Sequence, residues 1–337
     1  MVATHELRRP AVVALQTLGI AACYYGAGRL GLLRRLSVEG AVFTPIWPPT
    51  GVAVAALLIL GIRSWLGIAI GALLVVLSLS SFTSFQPSAI GIVVGNTVAP
   101  ICAYLLLRGV RFRTDLSRLR DGLALVFLAA LGSMMISASA DVGLLVLTDK
   151  LTADGFWAVW LAWWVGDAMG VLIVTPVILM LYAARAPVPL TRWKEAAVLL
   201  VAVCAMVPIA TRSSISLLFL IYPLLIWAAL RFELPGSLAC ALLASVMATV
   251  SATDEVGPFD RMSHTEIMIK LQAFNGTMAL TALLLSAVIT EQRNTRRSVE
   301  LACQELVQVL EHLTAGNPSP RPPPAGEDGL TDGGPLR

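Results

Sequence analysis

The sequence predicts an all-α fold, a polytopic integral membrane helical bundle, and its composition leads to that prediction. Only 13% of the 337 residues are Asp, Glu, Lys or Arg, against about 25% in ordinary soluble domains. Hydrophobic residues make up 57% of the chain, and a soluble fold of that composition would expose large apolar patches. A soluble globular enzyme is therefore excluded, and we expect the lipid bilayer to cover the apolar surface.

The apolar residues also gather into segments long enough to cross a bilayer. A transmembrane helix needs about 20 mostly apolar residues. Ten segments fit that length: 11–33, 46–61, 65–82, 87–107, 122–147, 156–182, 195–210, 214–231, 236–252 and 267–290. Because the second and the seventh are short, about ten transmembrane helices is the main prediction and eight is the alternative.

Basic loop residues set the predicted orientation, because Lys and Arg are enriched in cytoplasmic loops. With ten spans and a cytoplasmic N-terminus, the most basic loops fall on the cytoplasmic side. These loops follow the fourth, sixth and tenth spans and contain Arg108, Arg111, Arg113, Arg118, Arg120, Arg185, Arg192, Lys194, Arg293, Arg296 and Arg297. Arg34 and Arg35 fall on the opposite side and do not follow the pattern. We expect both termini in the cytoplasm.

Two further segments follow the apolar body, which occupies residues 1–290. Residues 291–314 are charged and helical in character. Their apolar residues alternate at spacings of 3 and 4, as in a short coiled coil: Val299, Ala302, Leu306, Val309 and Leu313. About two heptads are too few to be stable alone. Residues 315–337 are rich in Pro and Gly, which predicts a disordered tail.

Asp167 is the clearest polar residue inside an apolar span. Placing a carboxylate there costs at least about 2.5–3.5 kcal/mol on insertion scales. Helical spacing puts Trp160, Trp163 and Trp164 on its face or next to it. Two interpretations stay open. Asp167 is either a ligand-facing carboxylate walled by indoles, or a structural acceptor that joins two helices beside an interfacial tryptophan belt.

Asn96 and Asn275 also lie inside apolar spans. An amide there can bond to a neighbouring helix, and this bridging role is favoured over ligand contact for both residues. Four charged residues, Arg29, Asp141, Arg231 and Glu233, are expected instead to extend toward the headgroups.

The second span opens with Trp47, Pro48, Pro49, Thr50 and Gly51. Two prolines suit the first turn of a helix, where their missing N–H groups cost nothing. Pro49 also moves Pro48 away from helical angles. We expect a rigid re-entrant or broken helix with Trp47 at the interface; a simple start of a transmembrane helix is the alternative.

The predicted orientation brings several polar side chains to one depth. Six residues from five spans fall in the outer half of the membrane or at its edge: Trp47, Thr50, Asn96, Asp141, Asp167 and Asn275. Such convergence predicts a polar pocket open to the outside, with Trp160, Trp163 and Trp164 as further lining; a closed network of contacts between helices is the alternative.

Catalytic and metal-binding patterns are missing from the sequence. The histidines are isolated, the five cysteines have no C-x-x-C spacing, and no Walker loop, G-x-S-x-G elbow or kinase motif occurs. We expect no enzymatic activity, no cofactor and no metal site. A net charge of +3 is too small to suggest a nucleic-acid partner.

Four blocks of sequence carry a resemblance to a known family. WPPTGVAVAALLILGIRSWLGIAIGALL, the GN of GNTVAP, WWVGDAMGVLIVTPVIL and PLLIWAALRFELPG occur in that order. Together they resemble the first class of bacterial membrane-associated sensor (MASE) domains over residues 12–290. The positions that match the family's motifs are Trp47, Pro48, Pro49, Gly51, Gly95, Asn96, Gly166, Asp167, Gly170, Thr175 and Pro176.

The resemblance implies a multi-span input module of a bacterial signalling protein, in the cytoplasmic membrane. Relatives usually carry a C-terminal histidine kinase, diguanylate cyclase, phosphodiesterase or PAS domain. The 47 residues after the last predicted span contain no such output domain. We therefore expect a homodimer, or a separate cytoplasmic kinase or cyclase partner, through residues 291–313.

Three functions remain open. The first is a sensor that detects an unknown small ligand, at an extracytoplasmic or membrane-embedded site, and relays the change through residues 291–313. The second is a small-molecule transporter or substrate-binding subunit, since such proteins also place polar residues on broken helices near mid-membrane. The third is a structural scaffold without a ligand.

Overall fold

The computed structural model describes residues 3–38, 41–79, 87–183 and 192–315. Within these ranges the chain is a bundle of helices, which confirms the all-α membrane fold. The helices are α1 (Ala3–Gly31), α2 (Pro48–Leu60), α3 (Trp65–Leu79), α4 (Pro87–Gly109), α5 (Leu119–Ala124), α6 (Met134–Leu147), α7 (Phe156–Met169), α8 (Thr175–Ala183), α9 (Trp193–Arg212), α10 (Ile221–Thr253) and α11 (His264–Ala315).

Two π-helical segments join helices into longer rods. Leu125–Ser133 connects α5 to α6, and Gly170–Val174 connects α7 to α8. In the part of the chain that the structure describes, seven helical rods have the length and apolar composition to cross a membrane. The multi-pass prediction is therefore confirmed, while ten or eight crossings stays a prediction.

Each of the ten predicted segments coincides with a helix, and α10 contains two of them. Glu233 interrupts α10 with φ 54° and ψ −141°, two residues before Pro235. A residue other than Gly strongly disfavours this backbone region. The apolar segments before and after Glu233 are therefore two rods joined at a sharp break.

Two prolines form the first turn of α2, as the sequence predicted, but Pro48 belongs to the helix although Pro49 was expected to move it away from helical angles, and a re-entrant path stays a prediction. Trp47 lies just before the helix, and Pro48 and Pro49 occupy its first turn. The 13 residues of α2 span about 20 Å, less than the roughly 30 Å of a hydrocarbon core. A short antiparallel hairpin, β1 (Leu36–Val38) and β2 (Ala41–Phe43), precedes it. This hairpin was not predicted from the sequence.

Three contacts between loops or helix ends agree with the predicted topology, in which successive helices cross the membrane in alternating directions. Arg34, which did not follow the basic-loop pattern, forms an ion pair with Asp254 at 2.5 Å. The Leu119 backbone N–H donates to Glu291 Oε2 at 2.8 Å. A third pairing joins the start of α9 to the first half of α10, where Arg231 donates to Glu195. All three pairs join loops or helix ends that the ten-span topology places on one side.

The buried core has two main parts. One packs α9, α10 and α11 together, with Val203, Ala244 and Leu271 at its centre. The other packs α4, the α5–α6 rod and the α7–α8 rod, around residues such as Leu125 and Leu172. Helix α11 contributes to both parts of the core.

Residues 292–315 form a separate unit, all of it helical. Its predicted coiled-coil positions are exposed in the single chain, from Val299 at 57% to Leu313 at 64%. The predicted disordered tail lies outside the described residues from position 316 onward.

Candidate functional site

Glycines let α2 approach the α7–α8 rod in direct backbone contact. The Trp47 backbone N–H donates to the Gly166 carbonyl oxygen at 2.9 Å. A Cβ on Gly170 would lie 2.0 Å from the Trp47 carbonyl oxygen, and one on Gly51 would lie 2.2 Å from the Gly170 carbonyl oxygen. Only glycine fits at these two positions. The first turn of α2 is thereby held near the middle of the 31-residue rod Ala153–Ala183.

Asp167 of α7 joins three helices at this depth. Its side chain is buried, with 1% exposed. Thr50 Oγ1 of α2 donates to Asp167 Oδ1 at 2.7 Å, and Ser137 Oγ of α6 donates to Asp167 Oδ2 at 2.8 Å. The partial positive charge at the N-terminus of α2 also favours a negative charge here.

Asp141 of α6 lies next to Asp167 and is fully buried. The Asn96 amide of α4 donates to Asp141 Oδ2 at 2.8 Å, and Ser137 Oγ lies 3.4 Å from the same oxygen. The expectation that Asp141 extends toward the headgroups was wrong. It lies on the face of α6 that packs against α4, where Gly95 leaves room for its carboxylate: a Cβ on Gly95 would lie 2.5 Å from Asp141 Oδ1.

Asn96 uses both hydrogens of its amide and extends the contacts to α1. Besides Asp141, the amide donates to the Ile92 carbonyl oxygen at 3.0 Å. The Tyr24 hydroxyl of α1 donates to Asn96 Oδ1 at 3.4 Å. Tyr24, Thr50, Asn96, Ser137, Asp141 and Asp167, here called the carboxylate network, therefore connect α1, α2, α4, α6 and α7. The side chains bond to one another in the helix-to-helix network that the sequence left open, and the polar pocket open to the outside stays a prediction.

The three tryptophans near Asp167 pack against α6. Trp160 Nε1 donates to Ser139 Oγ at 3.0 Å, and Trp164 Nε1 donates to the Leu131 carbonyl oxygen at 2.8 Å. Their rings stack with centroids 5.4 Å apart. Trp163 packs beside them, partly buried. The indole N–H groups of Trp160 and Trp164 fasten α7 to the α5–α6 rod and do not donate to Asp167.

Asn275 does not join the carboxylate network. It is fully buried on α11, and neither its amide oxygen nor its amide nitrogen has a hydrogen-bond partner among the described residues. The same is true of Gln272, one turn earlier, and of the hydroxyls of Ser245 and Thr249 on α10. These four residues are called the α10–α11 polar residues below.

Tyr24 and Ser137 were not selected from the sequence, and Asp141 was placed both among the six converging polar residues and among the charged residues expected to extend toward the headgroups. Ser137 and Asp141 are four residues apart, so they share a helix face, and this spacing was a usable signal. Tyr24 gave none, because an aromatic residue in an apolar span is typical of a packed core.

The network contains two carboxylates and no positive charge. Within the described ranges, no Lys, Arg or His forms a hydrogen bond or ion pair with Asp141 or Asp167, and no group of three or more metal-ligating side chains occurs. All the donors that contact the carboxylates, Thr50, Asn96 and Ser137, are neutral.

Comparison with known proteins gives one match. The model of the MASE1 family, a family of membrane-associated sensor domains, matches residues 16–293. No curated protein and no solved structure matches the chain.

Proposed function

Because the chain belongs to the MASE1 family of membrane sensor domains, we propose that it is the input module of a bacterial signalling system in the cytoplasmic membrane. It detects an extracytoplasmic or membrane-embedded stimulus and relays it to a cytoplasmic partner. The observation that carries this proposal is the carboxylate network, which connects five helices through two buried acids.

A sensor needs an element whose packing depends on the stimulus. A ligand shifts an equilibrium between two packings only when it binds one of them more tightly. The carboxylate network fits that requirement, since any species that binds an acid or replaces one of its donors alters contacts on α1, α2, α4, α6 and α7 together.

Residues 291–313 are the proposed relay. Helix α11 begins at His264 and ends at Ala315, so one helix contains both the last apolar segment and the coiled-coil positions. Those positions are apolar and exposed in the single chain. We expect them to pair in a homodimer, or to bind a separate cytoplasmic kinase or cyclase.

The second candidate function is a small-molecule transporter. It is favoured by α2, whose first turn contacts the middle of the Ala153–Ala183 rod. Transporters place broken helices of this kind at their substrate sites. The relay segment favours sensing, because transport does not require it.

A spin label at residue 306 tests the sensor proposal. In a cysteine-free chain in nanodiscs, Leu306→Cys carries the label, and Asn96→Leu perturbs the network. We expect the mobility or inter-label distance at residue 306 to change. The control is Val94→Leu on the exposed face of the same helix. An unchanged label in Asn96→Leu contradicts the relay, and saturable uptake by proteoliposomes favours transport.

A further inference from the structure

The geometry points to a binding site for one proton, formed by Asp141, Ser137 and Asp167, with the proton held on Asp141. The site itself is independent of signalling. Only the last step, that loss of this proton is the stimulus, rests on the proposed function.

The first argument is the charge count. Ser137 Oγ lies 2.8 Å from Asp167 Oδ2 and 3.4 Å from Asp141 Oδ2, so the two carboxyl groups are separated by a single hydroxyl. Two carboxylates this close, buried without a cation, do not both stay ionised. One positive charge must therefore enter the site.

The groups that face the pair from the neighbouring helices supply no such charge. They are Tyr24 from α1, Thr50 from α2 and Asn96 from α4. Thr50 and Asn96 do not titrate, and Tyr24 is a phenol whose loss of a proton would add a negative charge. Among the described residues no basic side chain bonds to either acid.

The second argument is a count of hydrogens. A serine hydroxyl has one hydrogen to donate, and the shorter contact assigns it to Asp167. A lone pair of Ser137 then remains for the 3.4 Å contact with Asp141 Oδ2. That contact becomes a hydrogen bond only if Asp141 Oδ2 carries a hydrogen. Asn96 still donates to the other lone pair of the same oxygen.

The third argument is the difference between the two acids. Asp167 accepts a hydroxyl hydrogen on each oxygen and lies at the start of α2, where negative charge is favoured. Asp141 Oδ1 is buried and has no hydrogen-bond partner in the part of the chain that the structure describes. Leaving an ionised oxygen in that state is more costly than leaving a neutral one. Asp141 is thus the protonated acid, and Asp167 the ionised one.

Loss of the proton would give the site a second negative charge. The O–H bond of Asp141 breaks, the proton leaves to water, and the bonding pair stays on Asp141 Oδ2. The like charges on α6 and α7 then repel across Ser137, which favours a packing that separates them or admits water.

Infrared difference spectroscopy of the full chain in lipid nanodiscs tests the site. At neutral pH we expect a carboxylic-acid C=O band whose intensity corresponds to one acid per chain. The band should disappear when the pH is raised, and it should be absent from Asp141→Asn. The control Asp254→Asn changes an exposed, ion-paired acid and should keep the band. In Ser137→Ala the band should persist at a higher frequency, because the acid loses its acceptor.

The outcomes separate the site from the signal. If no band depends on Asp141 or shifts in Ser137→Ala, the proton site is overturned. If sodium chloride removes the band and choline chloride does not, the site takes a metal cation instead. If the band titrates but the spin label at residue 306 does not respond to pH, the proton site is supported and its role as the stimulus is overturned. A label that responds to Asn96→Leu without any Asp141 band supports sensing and overturns the proton site.

Discussion

The carboxylate network and the α10–α11 polar residues are both buried in the same bundle, but their hydrogen bonding differs. In the network, every side-chain nitrogen and oxygen of Thr50, Asn96, Ser137 and Asp167 has a partner, and Asp141 Oδ1 is the one oxygen that lacks a partner within the described ranges. In the second region no side-chain nitrogen or oxygen of the four residues has a partner in the described chain. Burial of a polar residue therefore does not by itself show that the residue belongs to a hydrogen-bonded site.

This difference has an energetic consequence for the two helix interfaces. A buried polar group without a partner costs about 1–3 kcal/mol, so the α10–α11 polar residues weaken their interface. Ser237 Oγ and Ser286 Oγ are 2.6 Å apart, which sets an antiparallel register between α10 and α11. On α10, Ser245 and Thr249 lie about two to three turns after Ser237, and on α11, Asn275 and Gln272 lie about three to four turns before Ser286. The network stabilises one packing of its helices, and the α10–α11 interface is the less constrained of the two.

The largest expected effect comes from the backbone contact that supports the network. In Gly170→Ala the new Cβ meets the Trp47 carbonyl oxygen, which belongs to the backbone and cannot rotate away. We expect a loss of about 3 kcal/mol in the free energy of unfolding, measured as a lower thermal midpoint in detergent. Gly143→Ala is the control, since nothing lies within 4 Å of its new Cβ. Equal midpoints for the two variants would contradict the contact.

The same substitution at two asparagines compares the regions directly. Asn96→Leu removes the amide that donates to Asp141 and accepts from Tyr24, and we expect it to lower the free energy of unfolding by about 2–3 kcal/mol. Asn275→Leu removes two amide atoms that have no partner among the described residues, so it should be neutral or stabilising. Thermal melting of both variants in one detergent is the measurement. A comparable loss in both would mean that Asn275 has a partner and that the two regions do not differ.

The two asparagines also show what the sequence could and could not predict. Local signals located the apolar helices and the start of α2, because apolar runs and a proline pair act within one segment. Asn96 and Asn275 look alike in sequence, and only the fold separates them. The partner of Asn96 is Asp141, 45 residues away, and the space for that carboxylate depends on Gly95.

Asp141 was misjudged for the same physical reason. A carboxylate in an apolar segment reaches the headgroups or turns inward, and the choice depends on the neighbouring helix. The hairpin of β1 and β2 was missed because it lies between two apolar segments that were assigned only by length and hydropathy.

The smallest expected effects come from removing a single hydroxyl group in each region. Thr50→Val keeps the side-chain shape but removes the donor to Asp167 Oδ1 at 2.7 Å. A hydrogen bond to a charged acceptor contributes about 1.5–3 kcal/mol, so we expect a loss near the lower end of that range. Thr249→Val removes a hydroxyl that has no partner among the residues the structure describes, and it should change stability by about 0.5 kcal/mol or less, or raise it. Equilibrium unfolding of both variants is the measurement. A loss in Thr249→Val as large as that in Thr50→Val would show that the α10–α11 interface holds a bound water or ligand, and the contrast between a bonded and an unbonded region would disappear.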